Sequence, residues 1–508
     1  MLKNISRSLE DLLGAPYMKA VTETAVFLHG MSLAQAQRIA SEKVEFFPDS
    51  CRDALCRMLP CIGKRVIGPL QDAHDGAATD AYKKAARNEA APLGGLGCVR
   101  VGEDGRLYFA AKSEHYHLPL GHNFSGYKLI ENAKKLGITN ITHNNTRGFI
   151  TRTAERQLVA DVNGLPANGI DAALKSREPG LLNRVINLQT GSVAVEAGIK
   201  IMLSRFYRQS KALSLPENTD LIPVFLVMAD HENGMEANYH GTTITEQTLR
   251  GMWPELYKKM ENSGAYRVVP VRINDIEDLK DKIELYNAAP YRTCGFLHEI
   301  VLMNYGGVRL DKEYLQQAYK LCGIHGTPVL VDEIQSCMWY DGMFLFRHYG
   351  LRPDFVIIGK GFPGGEYAAS KIITTYEMDK LSQFDALVTN GQEELASLAY
   401  LITMEFVREN GKRLRENGEY FEGKMRELQA RHQNKITKIE GSAYLCAIQF
   451  DTVEQTVQFV RRLNADCIDV SAQTYKANCP PAALFKLPVI TPSAYLDFLL
   501  ERIDHILT

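Results

Sequence analysis

A chain of 508 residues is too long for one ordinary domain and has room for two or three. Hydrophobic residues at 45% and charged residues at 23% are the balance of a soluble globular protein. With 58 Lys plus Arg against 60 Asp plus Glu, the formal charge of −2 excludes a global field that would draw in polyanions or membrane surfaces. The longest apolar run, Leu221 to Ala229, is about half a membrane span, and the N-terminus (Met1-Leu2-Lys3-Asn4-Ile5) lacks the continuous apolar core of a secretory signal. Ten cysteines include no CxxC pair, and a chain of this size needs no disulfide staples. The expectation is a cytoplasmic enzyme or a large binding protein.

Residues 1 to about 90 read as helical, with apolar residues at helical spacing in Leu9-Leu12-Leu13 and in Leu33-Ala36-Ile39-Ala40. Cys51, Cys56 and Cys61 recur every five residues, a spacing that does not put all three thiols on one helical face, so no metal is assigned there. Gly94-Gly95-Leu96-Gly97 has no clear strand before it, which argues against a dinucleotide site. His231-Glu232 continues as Asn-Gly, and no HExxH spacing occurs, so no histidine metal site is assigned either.

From about 220 to 375 the pattern changes to short apolar runs separated by helix-like segments: Ile222 to Ala229, Tyr266 to Val271, Phe296 to Met303, Val329 to Val331, Phe355 to Ile358 and Ile372-Ile373. Runs without polar alternation suit strands buried on both faces of a mainly parallel sheet, and strands alternating with helices argue an α/β domain. Residues 391 to about 431 read as one long helix or a broken pair. Strands follow around Ala443 to Phe450 and Ala483 to Ile490, with a helix near 452 to 465 between them. A last helix is expected to open with Thr491 as cap and Pro492 at its first position. That is a smaller α+β domain.

Two of the buried runs end in polar groups: Val329-Leu330-Val331 runs into Asp332, and Phe355 to Ile358 runs into Gly359-Lys360. Ligands of open α/β sheets sit in the crevice beyond the carboxyl ends of the strands. A carboxylate and an amine delivered there also suit a structural ion pair. The glycines around Lys360 favour the ligand reading, because they let backbone approach a bound molecule closely.

Asp332-Glu333-Ile334-Gln335, Pro353-Asp354 and Gly359-Lys360-Gly361-Phe362-Pro363-Gly364-Gly365 together resemble the class III (ω-) aminotransferases, pyridoxal-phosphate enzymes of fold type I. The resemblance implies a large domain with a mainly parallel, seven-stranded-type sheet covered by helices. It divides the chain into a helical extension (1–90), the N-terminal part of the small domain with its linker (91–165), a cofactor-binding large domain (166–390) and a C-terminal small α+β domain (391–508). It implies that Lys360 forms the Schiff base with pyridoxal 5'-phosphate, Asp332 pairs with the pyridine nitrogen, Gln335 meets the ring hydroxyl and Ile334 packs on one ring face. Leu188-Gln189-Thr190-Gly191-Ser192 resembles the turn that opens a helix and holds the cofactor phosphate, although Thr-Gly-Ser is also what any helix cap looks like. Tyr239-His240-Gly241 resembles the motif whose aromatic stacks on the ring, Glu299 sits where a glutamate lies near the imine, and Thr389 resembles a phosphate ligand given to the neighbouring subunit. A homodimer with active sites completed across its interface follows.

Four positions depart from that pattern. Val193 replaces an acidic residue, Ile300 a proline and Thr242 a substrate-clamping arginine, while Leu484-Phe485-Lys486 holds a lysine where relatives carry an arginine for an α-carboxylate. Lysine offers a point charge and not a two-pronged grip. The leading expectation is an aminotransferase acting on a primary amine or amino acid and an oxo acid through a pyridoxamine phosphate form. A racemase, aminomutase or decarboxylase on the same scaffold is the second reading, and a non-catalytic binding protein the third.

Overall fold

The apolar runs beyond residue 220 form strands of one seven-stranded sheet, and their burial shows why they lack polar alternation. The computed structural model describes residues 2–112, 118–140, 146–230, 235, 241–382, 385–386, 388, 391, 393–474, 476 and 478–508. The strands are β1 (Leu182–Leu188), β2 (Ile222–Met228), β3 (Arg267–Val271), β4 (Tyr291–His298), β5 (Val329–Asp332), β6 (Phe355–Ile358) and β7 (Ser370–Thr375). Their order across the sheet is β1-β7-β6-β5-β4-β2-β3, and every pairing is parallel except the two made by β7. Along β2, Val224, Leu226 and Met228 enter one core while Phe225 and Val227 enter another. Successive side chains point to opposite faces, so a strand covered on both sides must be apolar at every position.

One further strand in this sheet, strands outside it at 92–109, 438–442 and 471–473, and several shifted boundaries correct the sequence reading; the strand expected to reach Ile490 stops at Lys486. β1 was not expected, because Asn183, Arg184 and Asn187 interrupt its apolar residues; it is the sheet's edge and tolerates them. The run from Phe296 to Met303 is not one strand: β4 stops at His298, and Val301–Leu302 pairs instead with Val308–Arg309 in a separate hairpin. The last helix is Ser493–Leu507, one residue later than expected, with Pro492 in extended conformation at the cap position and not inside the first turn. The run at residues 94–96 lies within a strand, Pro92–Leu96, of a three-stranded antiparallel sheet.

The helix opening at Gly191 (α1, Gly191–Leu203) follows β1 directly and buries Ala194, Val195, Ile199 and Met202 against one face of the sheet. The long helical segment is a single helix, α2 (Glu394–Arg431). Its first residue serves a helix far away in sequence: the buried Glu394 carboxylate accepts from Ile150 N at 2.8 Å and Thr151 N at 3.1 Å, capping the helix Phe149–Asn163. After α2 come β8 (Lys438–Ser442), β9 (Leu445–Gln449), β10 (Ser471–Gln473) and β11 (Ala482–Lys486), antiparallel in the order β8-β9-β11-β10.

The N-terminal helices Leu9–Leu13, Ala15–His29 and Leu33–Ser41 share one core with α2, through Ile5, Leu9 and Leu13. Lys3 N donates to Asn410 Oδ1 at 2.7 Å and Arg7 Nε to Glu405 Oε1 at 2.7 Å, strapping the chain's start across α2. No helix among the described residues is long and apolar enough to cross a membrane, and none of their His, Cys, Asp and Glu side chains cluster in a way that could hold a metal ion.

Candidate active site

β5 is hydrogen-bonded between β4 and β6 with all three parallel, so their carboxyl ends deliver Glu299, Asp332 and Lys360 side by side. All three line a cavity of about 480 Å³, together with Gly191, Ser192, Ile334 and Gln335. Seven of the nine expected site residues are thus brought together. Tyr239 and Thr389 lie outside the described residues.

Asp332 is 5% exposed, and Ile334 N donates to its Oδ1 at 2.9 Å, which fixes the carboxylate's rotation. Its sequence neighbour Glu333 turns the other way, accepting from Phe346 N at 2.6 Å and from Ser336 Oγ, a structural carboxyl that burial pushes up to about 7. Lys360 holds φ at +46°, a left-handed conformation that costs a non-glycine residue about 1–3 kcal/mol and is found where function requires the strain. Burial pulls its amine below the ordinary lysine value, while Glu299 and Asp332 act in the opposite direction.

Glu299 is the most exceptional group. It is 3% exposed, and neither carboxyl oxygen has a hydrogen-bond partner among the described residues. Burial drives its carboxyl well above the usual range, and the nearby Asp332 adds to the shift, with Lys476, Lys360 and Lys486 opposing. Burial without a donor among the described residues disfavours the charged form of Glu299.

The far wall is the start of α1. Thr190 caps the helix by accepting from Val193 N at 3.5 Å, and Ser370 Oγ donates to Thr190 O at 2.6 Å, tying β7 to the turn. Gly191 packs so closely on Ile334 that an added Cβ would collide with its Cδ1. Ser192 Oγ accepts from Thr242 N at 3.0 Å, so Thr242 joins the helix start to the segment after residue 240.

Behind that segment Glu246 completes a capping box with Thr243, whose hydroxyl donates to Glu196 Oε2 at 2.8 Å. Burial, with Glu196 adding to it, pushes the Glu246 carboxyl from 4.5 up to about 8. A raised acid keeps its proton in the folded state after the unfolded chain has released it, so stability is full below pH 4.5 and declines up to about pH 8. Glu246→Gln is therefore expected to unfold at a higher temperature than the parent at pH 8 while matching it near pH 4.5. Thermal scans that show the two proteins tracking each other across that range would refute the assignment.

Gln189 and Tyr367, Ala368 and Ala369 also line the cavity, and sequence reasoning did not single them out. Their signal was positional: Gln189 lies two residues before Gly191, and Tyr367, Ala368 and Ala369 follow Gly365 within four residues. Lys486, considered as a stand-in for a carboxylate-binding arginine, does not line the cavity and is 0% exposed. No arginine is among the described residues that do line it.

Residues 85–506 match the aminotransferase class-III family. The chain belongs to that family. Pyridoxal phosphate is the cofactor of class-III aminotransferases and of this one. The ornithine aminotransferase of Schizosaccharomyces pombe is 29% identical over 282 residues, 53% of this chain and 59% of that protein, so less than two thirds of that relative is spanned. The acetylornithine aminotransferase of Methanocaldococcus jannaschii is 25% identical over 399 residues, 76% of this chain and 91% of the relative. Among solved structures, the Toxoplasma gondii ornithine aminotransferase, reported with pyridoxal phosphate at partial occupancy, superposes with a TM-score of 0.65 at 19% identity, covering 84% of this chain and 93% of that one. A transaminase from the marine bacterium Virgibacillus gives 0.67 at 15% identity over 86% and 96%. These likenesses establish the PLP fold type I architecture, and this class-III aminotransferase has its mostly parallel seven-stranded sheet.

Proposed function

We propose that the protein transfers an amino group from a primary amine or amino acid to an oxo acid. The observation that carries this reading is the Lys360 amine delivered beside Asp332 and Glu299 into one cavity at the carboxyl ends of three adjacent strands. The cavity suits the cofactor: an amine for its aldehyde, a carboxylate for its ring nitrogen, and a helix start free of side-chain bulk at Gly191 for its phosphate.

Pyridoxal phosphate supplies an aldehyde that condenses with amines and a ring that takes up the electron pair left on a substrate carbon. The side chains do the rest. Lys360, with its amine value lowered by burial, is the nucleophile, and once released it carries the proton to and from the substrate carbon. Asp332 keeps the ring nitrogen protonated. Gln335 would meet the ring hydroxyl, Ile334 would cover one ring face, and the family motif gives Tyr239 the role of stacking on the ring. Backbone N–H groups at Gly191 and Ser192, aided by the helix dipole, hold the phosphate, joined by Thr389 of the neighbouring subunit in a cytoplasmic homodimer. Within this reading the large domain is 166–390, the small domain combines 91–165 with 391–508, and 1–90 is an extension. The absence of arginine from the described lining speaks for a donor other than glutamate.

The test is to incubate holoenzyme with an amine panel led by ornithine and acetylornithine, the compounds in the relatives' names. A donor is expected to bleach the visible band, an oxo acid to restore it, and labelled donor nitrogen to appear in the acceptor. Inversion, rearrangement or decarboxylation of substrate without nitrogen transfer would refute transamination. A protein with no visible band after addition of pyridoxal phosphate would refute catalysis altogether.

A further inference from the structure

We infer that Lys486 is a positioning residue: it holds the Gln335 side chain with its amide oxygen turned out of the cavity and its N–H groups turned toward the cofactor ring. Lys486 ends β11, the strand paired with β9 through Leu445, and its backbone N–H donates to Ala111 O at 3.0 Å. Its side chain is wholly buried, whereas Gln335 lines the cavity. The amine donates to Gln335 Oε1 at 3.4 Å and lies 3.8 Å over the Trp339 ring. The indole is itself fixed to the same stretch of chain, since Trp339 Nε1 donates to Leu487 O at 2.9 Å.

A carboxamide has two ends of nearly equal shape, and only its surroundings decide which faces a ligand. A lysine amine that carries its proton only donates, and its seat over the Trp339 ring suits that cation, so Oε1 is the end it selects. The Nε2 donors then face the cavity. Without that partner the amide is free to turn over and set an oxygen against the ring oxygen, a repulsive pairing. Lys486 thus serves the cofactor through Gln335 and not the substrate. The inference rests on the reading that Gln335 meets the ring hydroxyl.

The test is a double-mutant cycle read by the pH titration of the bound cofactor's visible absorbance and by cofactor affinity of the apoenzyme. A donor at the ring oxygen stabilises negative charge there, so its loss holds the cofactor's proton to higher pH. Gln335→Ala and Lys486→Met are each expected to raise the titration midpoint by about half to one unit and to weaken affinity about tenfold. The double variant is expected to shift no further than either one. Lys486→Arg, which keeps a group that only donates, is expected to restore the parent midpoint, and it carries the same comparison should the methionine variant fail to fold. A shift in Gln335→Ala with none in Lys486→Met, additive shifts in the double variant, or a Lys486→Arg protein that behaves like Lys486→Met would each overturn the inference. No shift in Gln335→Ala would overturn the underlying reading of Gln335 and this inference with it.

Discussion

Lys360→Ala is expected to leave a folded protein that binds pyridoxal phosphate without fixing it, with turnover reduced at least about 10⁴-fold. The side chain points into a cavity, so its removal opens no hole in the packed core. Borohydride reduction followed by peptide mapping is the decisive measurement. The parent is expected to yield cofactor on Lys360 alone and the variant none. Three other buried amines among the described residues are the natural rivals. Lys371, lowered by burial to about 8, donates to Asn187 Oδ1 and lies 4.9 Å over the Tyr400 ring, Lys486 lies beneath Gln335, and Lys476 acts on Glu299. None of them lines the cavity. Reduced cofactor recovered on any of the three would sink the assignment of Lys360.

Asp332→Asn is expected to lower kcat by about 10²–10³-fold with a smaller effect on substrate KM. Asparagine keeps an oxygen for the 2.9 Å bond from Ile334 N, so the backbone geometry survives and only the charge is lost. Burial, by pushing the Glu299 carboxyl up, disfavours it as a second carboxylate for the ring nitrogen. Steady-state kinetics of the cofactor-saturated variant decide the matter. Turnover near that of the parent would mean that the ring's charge partner lies elsewhere.

The strand ends were legible because they depend on neighbours in sequence. An unbroken apolar run such as Val329-Leu330-Val331 has to be covered on both faces, and the polar residue that stops it has to emerge at the strand's carboxyl end, whatever the rest of the chain does. The same reasoning passed over β1, whose asparagines and arginine fit only an edge, and ran β4 on to Met303, because apolar residues that turn into a hairpin look like those that continue a strand. The family motif brought Lys360, Asp332 and Gln335 into view with their roles.

Contacts between distant segments were beyond that reach. Lys486 and Gln335 are 151 positions apart, and nothing in Leu484-Phe485-Lys486 tells whether the amine enters the cavity or passes beneath it. The raised carboxyl of Glu299 is likewise a product of assembly: the residue types around it are known from the chain, but its burial is not. Local pattern dictates which residues share a strand and which end they leave from. Desolvation and the choice of partner depend on three-dimensional distance, and for those only the folded chain supplies the answer.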